Sequence, residues 1–175
     1  MLKTWLNPDL MLLNKFIDIC LLRKNPQDLP VSHPLMIAAV IAYGITDVIG
    51  VLDSLTFGSA LLAAAVDTLL LVAVTHLVLH WRDLELRVPQ TLSALAGCGA
   101  LLSIAAWICA GLTREWLPPL WVWGPFLVWY IFVFGHVLRH ALSISLAAGV
   151  AAGLMYLMLS MVVTGLLVTP VSVTD

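Results

Sequence analysis

The sequence predicts an all-α integral membrane protein: five transmembrane helices preceded by an amphipathic interfacial helix, with the N-terminus cytoplasmic and the C-terminus outside. Three observations lead to this fold class. Of the 175 residues, 62% are hydrophobic and only 10% are charged, whereas a soluble domain carries about 25% charged residues. Five apolar runs are each long enough to cross a bilayer. The basic residues collect on one side of these runs.

Residues 1–33 are predicted to form a cytoplasmic and interfacial segment. In the stretch NPDLMLLNKFIDICLLRK, Asn7 suits a helix N-cap and Pro8 suits the first helical turn. Lys15 and Asp18 interrupt the apolar residues, so this run is too short and too charged to span a membrane. The pattern is typical of an amphipathic helix that lies along the membrane surface.

The five-helix transmembrane domain is predicted to cover residues 34–168, and residues 169–175 form a short external tail. A membrane helix needs about 20 mostly apolar residues, and prolines such as Pro89 and Pro170 separate the apolar runs. The predicted spans are residues 35–56, 59–81, 91–112, 119–138 and 143–168.

The lysines and arginines predict the orientation of these spans. If the spans alternate in direction, only Arg114 falls on the C-terminal side of the membrane. Because short basic loops stay in the cytoplasm, the N-terminus and the histidines are predicted at the cytoplasmic face, with a bacterial inner membrane as the location. The basic residues on that face are Lys3, Lys15, Arg23, Lys24, Arg82, Arg87 and Arg139.

The strongest candidate site is an intramembrane acidic pair, Asp47 and Asp67. A charge in the bilayer core costs at least about 2.5–3.5 kcal/mol. Asp47 lies ten residues before the hairpin turn at Phe57 and Asp67 ten residues after it, so each is about 15 Å of helix from the turn. Facing carboxyls cannot both ionise cheaply, and a proton could be shared. The alternatives are protonated structural hydrogen-bonding groups, or carboxyls that meet a polar group on a partner subunit. Asp53, nearer the outer end, is expected to be solvated.

Histidine pairs with helical spacing are a second candidate. His76 and His80, and likewise His136 and His140, are four residues apart, which places each pair on one helix face and permits a metal or haem site. The alternative is that they are polar side chains at helix C-termini, where the helix dipole and anionic lipid favour a cationic ring. No nearby Cys or Glu completes a ligand set.

Small residues predict faces where helices approach closely. Ser145, Gly149 and Gly153 recur every four residues in the last span, and the third span carries Gly97 and Ser103. Such faces pack helices in membranes. They could pack the five spans of this chain together or dock a partner protein.

The chain has an amphipathic N-terminal helix, the segment NPQDLP and five spans, in that order. This layout resembles the Yip-type family of five-span integral membrane proteins, in its small bacterial form. Eukaryotic members carry an Asp-Leu-Tyr-Gly-Pro motif, which Asp28 and Leu29 echo here. Their role in vesicle traffic through partner GTPases is not carried over, because the other motif residues are absent. The resemblance implies an integral membrane adaptor without an enzymatic centre of its own.

These observations favour a non-enzymatic membrane protein that assembles with or regulates a larger membrane complex. The sequence contains no Walker loop, zincin motif or serine-hydrolase elbow, and its net charge of −2 gives no reason to expect nucleic acid.

The predicted partners are the lipid bilayer and other membrane subunits or further copies of the chain, and no cofactor is expected. The first alternative is a small homo-oligomeric transporter or channel for ions or protons that uses Asp47 and Asp67. The second is a metal or haem binder at the histidine pairs.

Overall fold

The computed structural model describes residues 8–52 and 54–168, and the regular secondary structure within these ranges is helical. Six α-helices account for most of the described chain. The helices are α1 (Pro8–Cys20), α2 (His33–Val51), α3 (Phe57–His80), α4 (Val88–Thr113), α5 (Pro119–Leu142) and α6 (Leu146–Leu167). Helices α2 to α6 are long and apolar enough to cross a membrane, as the sequence predicts. Predicted features at Lys3, Asn7, Asp53 and residues 169–175 lie outside the described residues.

Polar caps and prolines define where the spans begin. The Ser32 hydroxyl accepts the Leu35 N–H at 3.3 Å, and the Ser145 hydroxyl accepts the Ala148 N–H at 3.2 Å. These caps satisfy amide groups that have no partner in the first helical turn. Ser145 therefore caps α6, and the small-residue face of this helix begins at Gly149. Helix α5 continues past the predicted residue 138 and ends where Ser143 adopts a left-handed conformation with φ 56°.

Helix α4 is the centre of the bundle and contacts α1, α2, α3 and α5. Helix α6 packs on α5 and α3. Between α5 and α6 the backbones approach so closely that a Cβ added at Gly149 would lie 2.3 Å from the Gly135 carbonyl oxygen. A Cβ at Gly153 would lie 3.2 Å from the Phe134 ring. The small-residue face of α6 thus packs against α5 of the same chain, where only glycine permits this distance.

Helix α1 packs against the middle of α4. Its residues Phe16, Ile19 and Cys20 are buried, and a Cβ at Gly97 would lie 2.4 Å from the Phe16 ring. Gly97 is the tenth residue of α4, about 14 Å of helix from its start. The indole N–H of Trp129, in the middle of α5, donates to the Cys20 carbonyl at 2.8 Å. The buried face of α1 therefore contacts the centre of the α4–α5 pair.

The chain after α1 runs along α5 toward the end of that helix. The His136 ring donates from Nε2 to the Lys24 carbonyl at 3.0 Å, and Gln27 donates to the His140 carbonyl at 2.7 Å. The Arg87 guanidinium donates to the Ala141 carbonyl at 2.8 Å. These donors satisfy carbonyl groups in this chain segment and in the last turn of α5. These contacts hold α1, the loop after it and the start of α4 against the end of α5. We call this end of the bundle the closed end.

Gly97→Ala is expected to release α1 from α4. The added methyl occupies the space of the Phe16 ring, and overpacking of this kind costs about 1–3 kcal/mol. Cys20, which is 6% exposed in the packed state, should then react faster with a maleimide, as measured by mass spectrometry of the peptide that carries it. Gly111→Ala is the matched control in the same helix, since nothing lies within 4 Å of a Cβ there. Equal Cys20 labelling in the two variants would contradict the α1 packing.

Candidate functional site

Asp67 lies in the middle of the bundle, where α2, α3 and α6 meet. Its carboxylate accepts the Tyr43 hydroxyl at 2.6 Å and the Tyr156 hydroxyl at 3.2 Å. The Ser160 hydroxyl also donates to it. Hydroxyl groups from α2 and α6 therefore hold a carboxylate of α3, and these hydrogen bonds replace the water that a carboxylate requires.

Asp47 lies beside Asp67, as the position of the two residues about the hairpin predicts. The two carboxyl groups line one cavity. Asp47 accepts no hydrogen bond from a donor among the described residues. Two ionised carboxyls in one cavity repel each other, and a bound proton would relieve this repulsion. The arrangement contains one carboxyl with hydroxyl donors and one without.

All three tyrosines of the chain gather at these acids. Tyr43, Tyr130 and Tyr156 each lie near the middle of their own helix, whereas tyrosines in membrane helices are enriched at the water interfaces. These tyrosines were not among the predicted site residues, because aromatic residues in apolar runs are also typical of helix packing. Their mid-span positions were the signal that could have identified them.

Two cavities adjoin the acidic pair and share Tyr43, Asp47, Tyr130 and Leu157. The acid cavity has a volume of about 510 Å³, and its wall includes Tyr43, Asp47, Asp67, Tyr130, Tyr156, Ser160 and Thr164. The aromatic cavity has a volume of about 340 Å³, and its wall includes Tyr43, Asp47, Ser103, Leu120, Trp123, Phe126, Leu127 and Tyr130. Both volumes are within the range of small-molecule sites.

Both cavities extend toward the same end of the bundle. The acid cavity reaches Val51 near the end of α2 and Gly165 near the end of α6. The aromatic cavity reaches Leu120 at the start of α5. At the opposite end, Leu79, Leu92 and Val137 are almost completely buried. The acids are therefore accessible toward the α2–α3 turn and separated from the other end by packed side chains.

Among the described residues, the charged side chains that line the two cavities are all acidic. No lysine, arginine or histidine among the described residues lines either cavity. The hydroxyl groups of Tyr130 and Thr164 are buried without a hydrogen-bond partner among the described residues. Buried polar groups are normally paired. A cation that donates hydrogen bonds would complement both the carboxyls and these hydroxyls.

The histidine pairs lie elsewhere. His76 and His80 are exposed. The His80 ring contacts the Glu85 carboxylate, so a glutamate does lie beside this pair, contrary to the expectation from the sequence. His136 is buried, and its Nε2–H is directed to the Lys24 carbonyl, so this nitrogen is a donor and not a metal ligand. The rings of His136 and His140 pack with centroids 4.6 Å apart. Within residues 8–52 and 54–168, no three His, Cys, Asp or Glu side chains form a group that could hold a metal ion.

The predicted small-residue positions are distributed over different contacts. Gly149 and Gly153 pack on α5 and Gly97 packs on Phe16, while Ser103 lines the aromatic cavity.

No protein-family model, curated protein or solved structure matches this chain.

Proposed function

We propose that this chain is a multi-pass membrane protein that binds and releases a proton or small cation at Asp47 and Asp67. A single observation carries this proposal: two carboxyls share a mid-bundle cavity that no basic side chain of the described residues lines. Intramembrane ionisable residues are costly and mark ion or proton pathways. A proton or cation that enters the acid cavity relieves the repulsion between the two carboxyls.

The two acids have different roles in this proposal. Asp67 is held by Tyr43, Tyr156 and Ser160, and it keeps these donors satisfied when it is ionised. Asp47 has no such donors among the described residues and lines both cavities. Asp47 is therefore the carboxyl that exchanges its proton, and Asp67 is the neighbouring acceptor that orients it.

The proposed orientation places the N-terminus in the cytoplasm of a bacterial cell, and α1 in the cytoplasmic half of the bundle. The uneven distribution of lysine and arginine supports it. The closed end of the bundle carries Arg87 and Arg139, while the cavities extend toward the end that carries Arg114. The acids would then be reached from outside, and transport would require separation of the packed cytoplasmic ends of α4 and α5.

Asp47→Asn tests the proton site directly. We expect infrared spectra of the parent protein at neutral pH to show the carbonyl band of a protonated carboxylic acid, and the variant to lack it. Proton uptake by liposomes that contain the variant should fall to the rate of protein-free vesicles. The isosteric amide keeps the shape of the side chain and removes the titratable proton and the negative charge of the carboxyl.

Asp18→Asn is the matched control, because Asp18 pairs with Lys24 at 2.7 Å near the loop after α1 and lines neither cavity. It should leave both the band and the proton uptake unchanged. A band that persists in Asp47→Asn would refute the assignment of the proton to Asp47.

A second candidate function is an accessory subunit of a larger membrane complex, and the resemblance to the Yip-type layout supports it. The specific observation is again the lack of a basic group at the acids among the described residues, because a lysine or arginine on a partner helix could supply it. In that case the protein should co-purify in mild detergent with a different membrane protein. Asp47→Asn together with Asp67→Asn should abolish that association.

A further inference from the structure

The aromatic cavity differs from the acid cavity in having a single carboxyl in a mostly apolar and aromatic wall. Four rings and one carboxylate share its wall, and the polar contribution is otherwise small. The residues that matter are Tyr43, Asp47, Ser103, Trp123, Phe126 and Tyr130. Leu102 and Leu127 complete an apolar lining. A wall of this kind favours a ligand with an apolar body and one positive charge.

Ring faces and a carboxylate attract cations for different reasons. The negative face of an aromatic ring attracts an ammonium group by about 0.5–2 kcal/mol, more when water is excluded. A carboxylate such as Asp47 accepts charge-assisted hydrogen bonds from N–H donors. Calcium and magnesium ions instead require six or more oxygen ligands, or several retained waters, and this mostly apolar wall does not supply them.

An unpaired hydroxyl provides an independent indication of a ligand. The Tyr130 side chain lines both cavities, and its buried hydroxyl has no hydrogen-bond partner among the described residues. A tyrosine hydroxyl can both accept and donate. An ammonium group that directs one N–H to Asp47 can therefore donate another N–H to Tyr130, and this would remove the cost of the unpaired group.

We propose that the aromatic cavity binds a small organic ammonium ion, with its nitrogen at Asp47 and its apolar body among Trp123, Phe126 and Tyr130. The volume of about 340 Å³ is near the lower limit for small-molecule sites and suits one ring on a short amine. This inference rests on the proposed function, because both use Asp47. The organic cation and the proton would compete for the same carboxyl.

The position of the cavity permits entry from the lipid. Leu120 and Leu127 of its wall are exposed on the surface of α5, so the cavity lies next to the apolar surface of the bundle. An amine that partitions into the membrane could reach Asp47 from the side. The competing occupant of such a cavity is a lipid acyl chain, which would not require Asp47.

Binding of phenethylammonium chloride to the full chain in lipid nanodiscs, measured by calorimetry, tests the proposal. The neutral isostere 2-phenylethanol provides the comparison. We expect the ammonium ion to bind and the alcohol to bind at least about tenfold more weakly, as the loss of one charged interaction predicts. Asp47→Asn and Trp123→Leu should each weaken ammonium binding by about tenfold.

Trp121→Leu is the matched control, since Trp121 is an exposed residue of the same helical turn and does not line the cavity. It should leave the affinity unchanged. Equal affinity for the alcohol and the ammonium ion would identify an apolar site for lipid chains and overturn the proposal. No ammonium binding would also overturn it.

The proton site and the ammonium site can each be refuted without refuting the other. The infrared band of a protonated acid, recorded without amine, reports on the proton site alone. If that band is present and phenethylammonium does not bind, only the ammonium site is refuted. If phenethylammonium binds through Asp47 and the band is absent, only the proton site is refuted.

Discussion

Asp67→Ala is expected to lower the free energy of unfolding by about 2 kcal/mol, and Asp47→Ala is expected to leave it unchanged or raise it. The first variant removes the acceptor of the Tyr43, Tyr156 and Ser160 hydroxyls, and such bonds average roughly 0.6 kcal/mol each in membrane proteins. The second removes a carboxyl that accepts no hydrogen bond from a donor among the described residues and shares a cavity with another carboxyl. Reversible unfolding in mixed SDS micelles measures both values.

This pair of variants is its own control, because the two residues lie in the same cavity and undergo the same substitution. A cost at Asp47 as large as that at Asp67 would contradict the different roles assigned to the two acids. Tyr156→Phe removes one of the three donors and should lower the stability by only about 0.6 kcal/mol. It therefore tests whether the hydrogen bonds of Asp67, and not its charge alone, connect α3 to α6.

Gly149→Ala is expected to destabilise the bundle by about 1–3 kcal/mol. The new methyl would lie 2.3 Å from the Gly135 carbonyl oxygen, and a backbone atom cannot move aside without separating α5 from α6. Thermal unfolding of the detergent-solubilised protein, followed by far-ultraviolet circular dichroism, should show a lower midpoint.

Gly165→Ala is the matched control for Gly149→Ala. It is in the same helix and nothing lies within 4 Å of a Cβ there, so the higher helix propensity of alanine should raise the stability by up to about 1 kcal/mol. Similar shifts for the two variants would show that helix propensity alone, and not the contact between α5 and α6, determines the result.

The arrangement of the spans could be predicted largely from the sequence. Apolar runs bounded by prolines identify the five long helices, because backbone groups in hydrocarbon must pair within their own segment. The end of α5 was placed four residues too early, at 138 instead of Leu142. Arg139 and His140 stopped the apolar run, but the helix continues because polar side chains in a last turn do not break it.

The candidate site could be predicted only in part. Asp47 and Asp67 are visible as charges in apolar runs, and the hairpin predicts that they have matching depths. Tyr156 is 89 residues from Asp67, and nothing local in the sequence connects them. The depth of α1 on α4 was likewise not predictable, because an amphipathic pattern indicates which face is buried but not the helix that covers it.

The sequence by itself determined that this chain forms five apolar helices with acids in their interior, since hydrophobicity and helix length follow from composition along the chain. Only the tertiary structure decided which hydroxyls satisfy Asp67, which acid remains without donors among the described residues, and which glycines face a neighbouring helix. The physical reason is that lipid solvates every apolar face of a helix equally well. The choice of neighbours then depends on close packing and on a few polar contacts between residues far apart in the chain.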